Sequence, residues 1–212
     1  MIELKDIVAI SAARTPMGRF GGTLKDFKVY DIGATAIKAA VERAQVPVDA
    51  VDEVVYGNCR QAGNGVNPSR SASRYAGLPD SVPAHTLNMA CPAGMKSLIL
   101  SCQSLRLGEA KVMVGGGMDS MSTIPFLLKN ARWNGFKMGD QKLEDGWSDS
   151  IDPVVGAGMG QTAETVADKY DISREEQDNF AAGSQQKTEA AQNEGLFAEE
   201  IVPVEVPQRR GD

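Results

Sequence analysis

The sequence predicts an α/β fold built in layers, and three observations support this prediction. Apolar, strand-like runs alternate along the chain with segments whose apolar residues recur at helical spacing. The strand-like runs are apolar at successive positions, which indicates a sheet that is covered on both faces. With 212 residues, of which 42% are hydrophobic, the chain is long enough to bury a core of this kind.

The first 122 residues are predicted to alternate between strands and helices. Segment 6–15 (DIVAISAART) reads as a buried strand, and segment 30–46 follows with apolar residues at helical spacing that stop before Pro47. A later helix, from about Ala93 to Leu107, is expected to end at Gly108, a residue type favoured after helix ends. The other predicted elements are strands in 51–59, 82–89 and 111–122 and a short helix within 61–81.

The character of the sequence changes at about Thr123, where an irregular stretch rich in Gly, Asp, Met and Trp begins. Helices are predicted after it, at about 162–169 and from Ser173, where the Ser-x-x-Glu capping-box pattern occurs. Residues 199–212 (EEIVPVEVPQRRGD) alternate in the way of a strand. We therefore expect two parts, residues 1–122 and residues 123–212.

Composition and charge exclude several classes of function. The 22 basic and 28 acidic residues give a net charge of −6, which argues against nucleic acid or an anionic membrane surface as the main partner. The three cysteines form no C-x-x-C pair, so neither a disulfide framework nor a zinc site is expected. No signal-peptide pattern and no apolar run of bilayer length is visible. We expect a cytoplasmic protein without a metal site.

Cys91 is the candidate nucleophile, because it lies between a predicted strand and a predicted helix. Unpaired N–H groups at a helix start stabilise a thiolate and can bind a developing oxyanion. The small residues Ala93 and Gly94 would let a substrate approach the backbone. Local placement alone fits a buried structural cysteine equally well. Cys59 and Cys102 are expected to be structural, with Cys102 in the core.

A cysteine nucleophile normally requires a base, and the sequence contains a single histidine, His85. It falls within the predicted strand 82–89, so a structural or surface role is expected for it. The glycines of 114–122 do not match a dinucleotide-binding fingerprint. Three arginines, Arg14, Arg70 and Arg74, are expected to form structural ion pairs.

Six ordered blocks resemble the N-terminal part of the thiolase family, of the acetyl-CoA acetyltransferase type. The blocks read SAARTPMGRFGGTLKD, NCRQAGNGVNPSRSAS, VPAHTLNMACPAGMKS, VGGGMDSMS, ISREEQDNFAAGSQQKTEAA and EEIVPVEVPQRRGD. The resemblance runs from Ile7 to Asp212 in the family's order. The resemblance implies a layered fold of two similar α/β halves with a loop domain inserted in the first. Residues 1–122 would then belong to the first half, and 123–212 to part of the loop domain.

The resemblance also implies a two-step acyl transfer. Cys91 would take an acyl group from a 3-ketoacyl-CoA, and the thioester would pass to CoA or to an acetyl-CoA carbanion. The backbone N–H of Cys91 would contribute to an oxyanion hole. CoA and acyl-CoA would be substrates, and no permanently bound cofactor is expected.

Two groups that thiolases use are missing from the sequence. The family's activating histidine lies in a G-H-P motif and its second cysteine in a C-x-G motif, and neither motif occurs here. We therefore expect a complementary C-terminal thiolase half that supplies both, in a dimer of two-chain units. The alternatives are a proteolytic product or a truncated chain.

Three residues are expected to lie near the substrate. Many thiolases have H-M-G where this sequence has Gly158, Met159 and Gly160, so a histidine beside the thioester is absent. That difference casts doubt on a simple preference for acetoacetyl-CoA. Trp147 would lie near the pantetheine arm, where it would either narrow the channel or pack within the loop domain.

Two other functions remain open from the sequence. A thiolase-like condensing enzyme would also use Cys91 but would join acyl groups without thiolysis. A non-catalytic scaffold with the same fold is weakly supported by Gly158 and by the missing motifs, whereas Cys91 at a helix start argues against it.

Overall fold

A parallel sheet of three strands organises the region around Cys91. β1 (Glu53–Gly57) is the middle strand, with β2 (Ala84–Leu87) on one side and β3 (Met113–Gly117) on the other. Val54 is paired in register with Ala84 and with Val114. Because all three strands are parallel, their carboxyl ends lie side by side at one edge of the sheet.

The computed structural model describes residues 6–129, 131–147 and 151–208. The described residues form two compact units. The first extends to Ile124 and resumes at Glu200, and the second is Pro125–Glu199. No described helix has both the length and the apolar character that crossing a bilayer requires.

Helices cover both faces of the sheet in the first unit. Val54 and Tyr56 of β1 pack into a core formed with α1 (Val29–Ala44) and α2 (Pro68–Tyr75). The alternate residue Gly57 faces α3 (Ala93–Leu107), which follows β2 in the chain. The predicted layered α/β architecture is therefore confirmed for this unit.

Helix boundaries in the first unit follow from local sequence. α3 ends at Gly108, whose φ of 76° lies in the left-handed region that glycine adopts without strain. α2 begins after Asn67, whose side chain accepts a hydrogen bond from the N–H of Arg70 at 3.0 Å. The bounds predicted for α3 are confirmed, as are the strands predicted in 51–59, 82–89 and 111–122.

The second unit contains short elements followed by two longer helices. β4 (Phe126–Leu127) pairs antiparallel with β5 (Glu144–Asp145), and α4 (Ala131–Asn134) lies between them in the chain. α5 (Met159–Lys169) begins three residues earlier than expected. α6 (Arg174–Asn193) has the predicted capping box, in which Ser173 N donates to Glu176 Oε2 at 2.8 Å.

Two predicted strands are not formed. Within 6–15 and 199–208, the only ladder contact of the described residues is a single bridge between Arg14 and Ile201, and residues 209–212 lie outside the described part. A strand requires a row of backbone hydrogen bonds to a neighbouring strand. The described residues of these two segments form one bridge only. Val8 consequently remains 75% exposed.

Ion pairs and hydrogen bonds of arginine side chains hold segments that lie outside the sheet. Arg14 contacts Glu200 at 3.0 Å, and Arg43 donates to the carbonyl of Ala12 at 2.9 Å. Arg74 contacts Asp80 at 2.8 Å, and Arg70 contacts the same carboxylate at 3.5 Å. The structural role predicted for Arg14, Arg70 and Arg74 is confirmed.

α3 packs unusually close to the sheet at its first turn. A Cβ atom added to Gly57 would lie 2.5 Å from the carbonyl carbon of Ala93 and 2.6 Å from the nitrogen of Gly94. A Cβ on Gly117 would lie 3.0 Å from the Cα of Gly94. Only glycine permits this contact, because any other side chain would force the helix away from the strands.

We expect Gly57→Ala to lower the free energy of unfolding by about 1–3 kcal/mol, the range for overpacking a filled interior. Urea denaturation measures the effect. Gly183→Ala, in α6, is the matched control, since a Cβ there meets no atom within 4 Å. It should leave stability unchanged or raise it by up to about 1 kcal/mol. Equal stability of wild type and Gly57→Ala would contradict the close contact.

Asp52 joins the starts of β1 and β3. Its Oδ2 accepts hydrogen bonds from Lys111 N at 2.6 Å and from Val112 N at 2.9 Å. These two bonds hold the pKa of Asp52 below its ordinary value. The carboxylate therefore stabilises the fold above about pH 4, and this contribution is lost as the pH falls through the lowered pKa.

We expect Asp52→Asn to destabilise the protein at pH 7 more than at pH 3, because the wild type has lost the ionic contribution at the lower pH. Denaturation of both proteins at the two pH values measures this. The control is Asp49→Asn, a change at an exposed residue three positions earlier. A destabilisation by Asp52→Asn that is equal at both pH values would show that the charge is not involved.

Candidate active site

The loops that follow the three parallel strands meet at one edge of the sheet. The N–H of Asn58, after β1, donates to the carbonyl of Leu87 at 3.0 Å. The N–H of Met118, after β3, donates to the carbonyl of Gly57 at 2.9 Å. Strand pairing thus continues into the loops and brings them together. The loop after β2 leads directly into Cys91.

Cys91 is exposed on the turn that precedes α3. The helix begins at Ala93, so Pro92 takes the N-cap position. Among the described residues, no atom accepts a hydrogen bond from the N–H groups of Cys91, Gly94 or Met95. Three donors at this turn are thus available for a developing negative charge.

The residue before Cys91 has a left-handed backbone. Ala90 has a φ of 54°, which costs a non-glycine residue about 1–2 kcal/mol. Its N–H donates to Oδ1 of Asn88 at 2.8 Å, and its carbonyl accepts from Ala93 N at 3.0 Å. The same Asn88 side chain donates through Nδ2 to the carbonyl of Cys59 at 3.0 Å. The turn is therefore tied to the loop after β1.

Asp119, after β3, holds the loop after β1 from the other side. One of its carboxylate oxygens, Oδ1, accepts from the backbone N–H groups of Cys59 and Arg60, each at 3.0 Å. The same oxygen accepts from Asn58 Nδ2 at 2.9 Å. Sequence reasoning missed Asn58, Asn88 and Asp119. The available signal was a polar residue near the end of each of the strands predicted in 51–59, 82–89 and 111–122.

Cys59 is half-buried beside this network. Burial raises the pKa of the Cys59 thiol, the Asp119 carboxylate raises it further, and the charge of Cys91 makes a smaller contribution in the same direction. A thiol with a raised pKa remains protonated at neutral pH and is a poor nucleophile. Of the two cysteines at this edge, Cys91 is the exposed one.

The prediction for Cys102 is wrong, and the expectation for His85 is confirmed. Cys102 is exposed on α3 rather than in the core, because the described residues leave its side of the helix uncovered. His85 is exposed on β2, with Nδ1 2.7 Å from Oε1 of Glu53. It forms a surface pair, and the sequence contains no other histidine to act as a base.

The remaining predicted site residues belong to the second unit. Gly158 is the N-cap of α5, where a Cβ would meet no atom within 4 Å, and its neighbour Met159 begins the helix and is exposed. Trp147 is 39% exposed, and its backbone N–H donates to Oδ1 of Asp145 at 3.0 Å. Gly158 and Met159 thus lie together at a helix start, whereas Cys91 belongs to the first unit.

Relatives of the chain are found across most of its length. The family model for the thiolase N-terminal domain matches residues 7–212. The chain is 49% identical over 208 residues to a probable acetyl-CoA acyltransferase of Staphylococcus epidermidis. This match covers 97% of this chain and 52% of that protein. It is 48% identical over 211 residues to an acetyl-CoA acetyltransferase of Cupriavidus necator, covering 99% and 53% of the two chains.

The structural comparison agrees. The crystal structure of the Bacillus anthracis acetyl-CoA acetyltransferase matches with a TM-score of 0.94 at 34% identity, over 99% of this chain and 53% of that one. This match confirms the predicted thiolase-like α/β fold. The chain spans about half the length of the curated relatives it matches. The match in sequence and in fold includes the Cys91 turn and the sheet beneath it, and the chain belongs to the thiolase family through its N-terminal domain.

Proposed function

We propose that the chain is the nucleophile-bearing part of a thiolase-type acyltransferase, either a 3-ketoacyl-CoA thiolase or an acetyl-CoA C-acetyltransferase. The observation that carries the proposal is the exposed Cys91, with three backbone N–H groups at its turn that have no hydrogen-bond acceptor among the described residues. This arrangement suits a thiolate that attacks a carbonyl carbon and an oxyanion that forms next to it.

The reaction proceeds in two steps. Cys91 Sγ attacks the keto carbonyl of a 3-ketoacyl-CoA, the bond between C2 and C3 breaks, and acetyl-CoA leaves as a carbanion that takes up a proton. The thiolate of a second CoA then attacks the acyl-cysteine and frees Cys91. The N–H of Cys91 donates to the oxyanion in both steps. CoA and its thioesters are the substrates, and the chemistry requires no permanently bound cofactor.

We propose that a complementary C-terminal thiolase half supplies the base and the acid. The only histidine, His85, is engaged with Glu53 on the surface of β2. The supplied groups are the histidine of a G-H-P motif and the cysteine of a C-x-G motif. The working enzyme is a dimer of two-chain units in the cytoplasm and binds neither nucleic acid nor membrane.

An open groove at the edge of β3 supports this partner. Among the described residues, no strand pairs with β3 on the side away from β1. A groove of about 470 Å³ lies there, lined by segment 7–11, by residues 112–115, by Val41 of α1 and by Leu98 of α3. Helices from both layers flank it, so a strand of the complementary half would extend the sheet and bury its side chains on both faces.

An exposed apolar stripe on α3 supports the same partner. Met95 is 69% exposed, Leu98 52% and Ile99 45%, and Cys102 lies on this helix as well. An apolar stripe of this kind marks a surface that another chain covers. Because α3 begins two residues after Cys91, a partner on this face lies beside the nucleophile and can contribute catalytic groups.

The second unit is proposed to act on the substrate side. On this view the loop-domain segment expected at 123–212 includes the second unit, Pro125–Glu199, whose residues Gly158, Met159 and Trp147 contact the acyl and pantetheine portions of the thioester. The absence of a side chain at Gly158 leaves open space, since a Cβ there would meet no atom within 4 Å. A bulkier acyl group than acetoacetyl is therefore the expected preference.

We expect iodoacetamide to alkylate Cys91 about tenfold faster than Cys102 at pH 7.5, because N–H groups at the start of a helix stabilise a thiolate, whereas Cys102 lies within α3. Cys59 should react more slowly than both, because its raised pKa keeps it protonated. Asp119→Asn removes a charge that raises this pKa and should speed labelling of Cys59. Mass spectrometry of the peptides measures all three rates. Equal, slow labelling of the three cysteines would favour an inert scaffold.

We expect native mass spectrometry of the protein from its own source to show a second chain of similar size that contains G-H-P and C-x-G. Thiolysis should require both chains and should be lost in Cys91→Ser, with Gly183→Ala, in the exposed α6, as the control that keeps activity. A stable homo-oligomer of the 212-residue chain alone, without thiolysis, would contradict the proposal.

A further inference from the structure

The left-handed residue at Ala90 differs from the other non-glycine residues with positive φ in the described chain. Gln45 and Asp171 follow the ends of α1 and α5, where a left-handed residue commonly terminates a helix. Ala90 precedes a helix instead, and its methyl side chain cannot form a hydrogen bond that would favour this conformation. A contact from another residue must therefore keep Ala90 in the left-handed conformation. That conformation matters for Cys91, because Cys91 follows Ala90 directly.

The side chain of Asn88 provides that hold. Its carbonyl oxygen accepts from Ala90 N at 2.8 Å, and its amide nitrogen donates to Cys59 O at 3.0 Å. The oxygen of the Asn88 amide thus bonds to the turn before Cys91, and its nitrogen bonds to the loop after β1. Aspartate can accept but not donate, and alanine can do neither, so only an amide of this length serves both partners.

The loop to which Asn88 is tied is itself fixed. Asp119 accepts from the N–H groups of Cys59 and Arg60, each at 3.0 Å, and Cys59 O is the atom that Asn88 contacts. A chain of hydrogen bonds therefore extends from the loop after β3, through the loop after β1, to the turn that carries Cys91. The turn that carries Cys91 is therefore bonded to a loop that is itself held in place.

We propose that Asn88 is a positioning residue for Cys91. By holding Ala90 left-handed, it directs Cys91 so that the thiol lies beside the unpaired N–H groups of Gly94 and Met95. Asn88 does not touch the substrate. The inference rests on the proposed function, in which Cys91 is the acyl acceptor, but it concerns the geometry of the turn and is measured without acyl transfer.

The test exploits the tolerance of glycine for positive φ. In Asn88→Ala, Ala90 loses its restraint, and alkylation of Cys91 at pH 7.5 should fall about tenfold relative to Cys102 in the same molecule. Adding Ala90→Gly should restore most of the rate, because glycine adopts the left-handed conformation without strain. Ala90→Gly alone should stay within about twofold of wild type. Thermal melting monitors folding of every variant.

The matched control is Asn64→Ala. Asn64 Nδ2 donates to Arg60 O at 2.7 Å, so this change removes a side-chain bond to the same loop without touching the Cys91 turn. It should lower the melting temperature and leave the Cys91 rate unchanged. The proposal is overturned if Asn88→Ala reacts at the wild-type rate, or if the double variant reacts no faster than Asn88→Ala.

A second readout uses the complete enzyme with its complementary half. There Asn88→Ala should reduce kcat about tenfold and leave KM for the acyl-CoA within about twofold, since no substrate contact is removed. An unchanged kcat, or a rise in KM alone, would overturn the positioning role. Absence of thiolysis in the wild-type complex would instead overturn the proposed function, while the alkylation series would still decide the role of Asn88.

Discussion

The structure around Cys91 depends on the contact between the first turn of α3 and the carboxyl edge of the sheet. Gly57 and Gly117 lie against Ala93 and Gly94 at distances that leave no space for a Cβ. This contact places the start of α3 directly over the strand ends. Because Cys91 precedes that start by two residues, the close packing also determines where the thiol and the unpaired N–H groups lie.

The close glycine contacts position the start of α3, and polar side chains then hold the loops around it. Asp119 and Asn88 hold the loop after β1 from its two sides, and Asn88 also holds the left-handed Ala90. The bonds that Asp119 and Asn88 form with the loop after β1 join loops that are adjacent because the strands are parallel and in register. Backbone packing thus sets the position of the helix start, and side-chain hydrogen bonds set the conformation of the turn before it.

The groove beside β3 and the exposed stripe on α3 have a common cause. Both are apolar surfaces at the rim of a sheet that the described residues cover only in part. The described segment 7–11 lines the groove, and no strand formed by this segment pairs with β3. A partner that fills the groove and covers α3 would resolve both features and bring its own groups to Cys91.

Local chemistry in the sequence by itself determined the elements that depend on few neighbours. α3 with its end at Gly108, the capping box at Ser173 and the buried strand β1 follow from residues close together in the chain, as does the Cys91 turn between β2 and α3. Only the tertiary structure decided the pairing of segments 6–15 and 199–208, the exposure of Cys102, and the contacts of Asn88 and Asp119. Those of the contacts that link different loops join residues 29 to 61 positions apart. Such pairs leave no periodic trace in the sequence, because their geometry exists only once the strands are side by side.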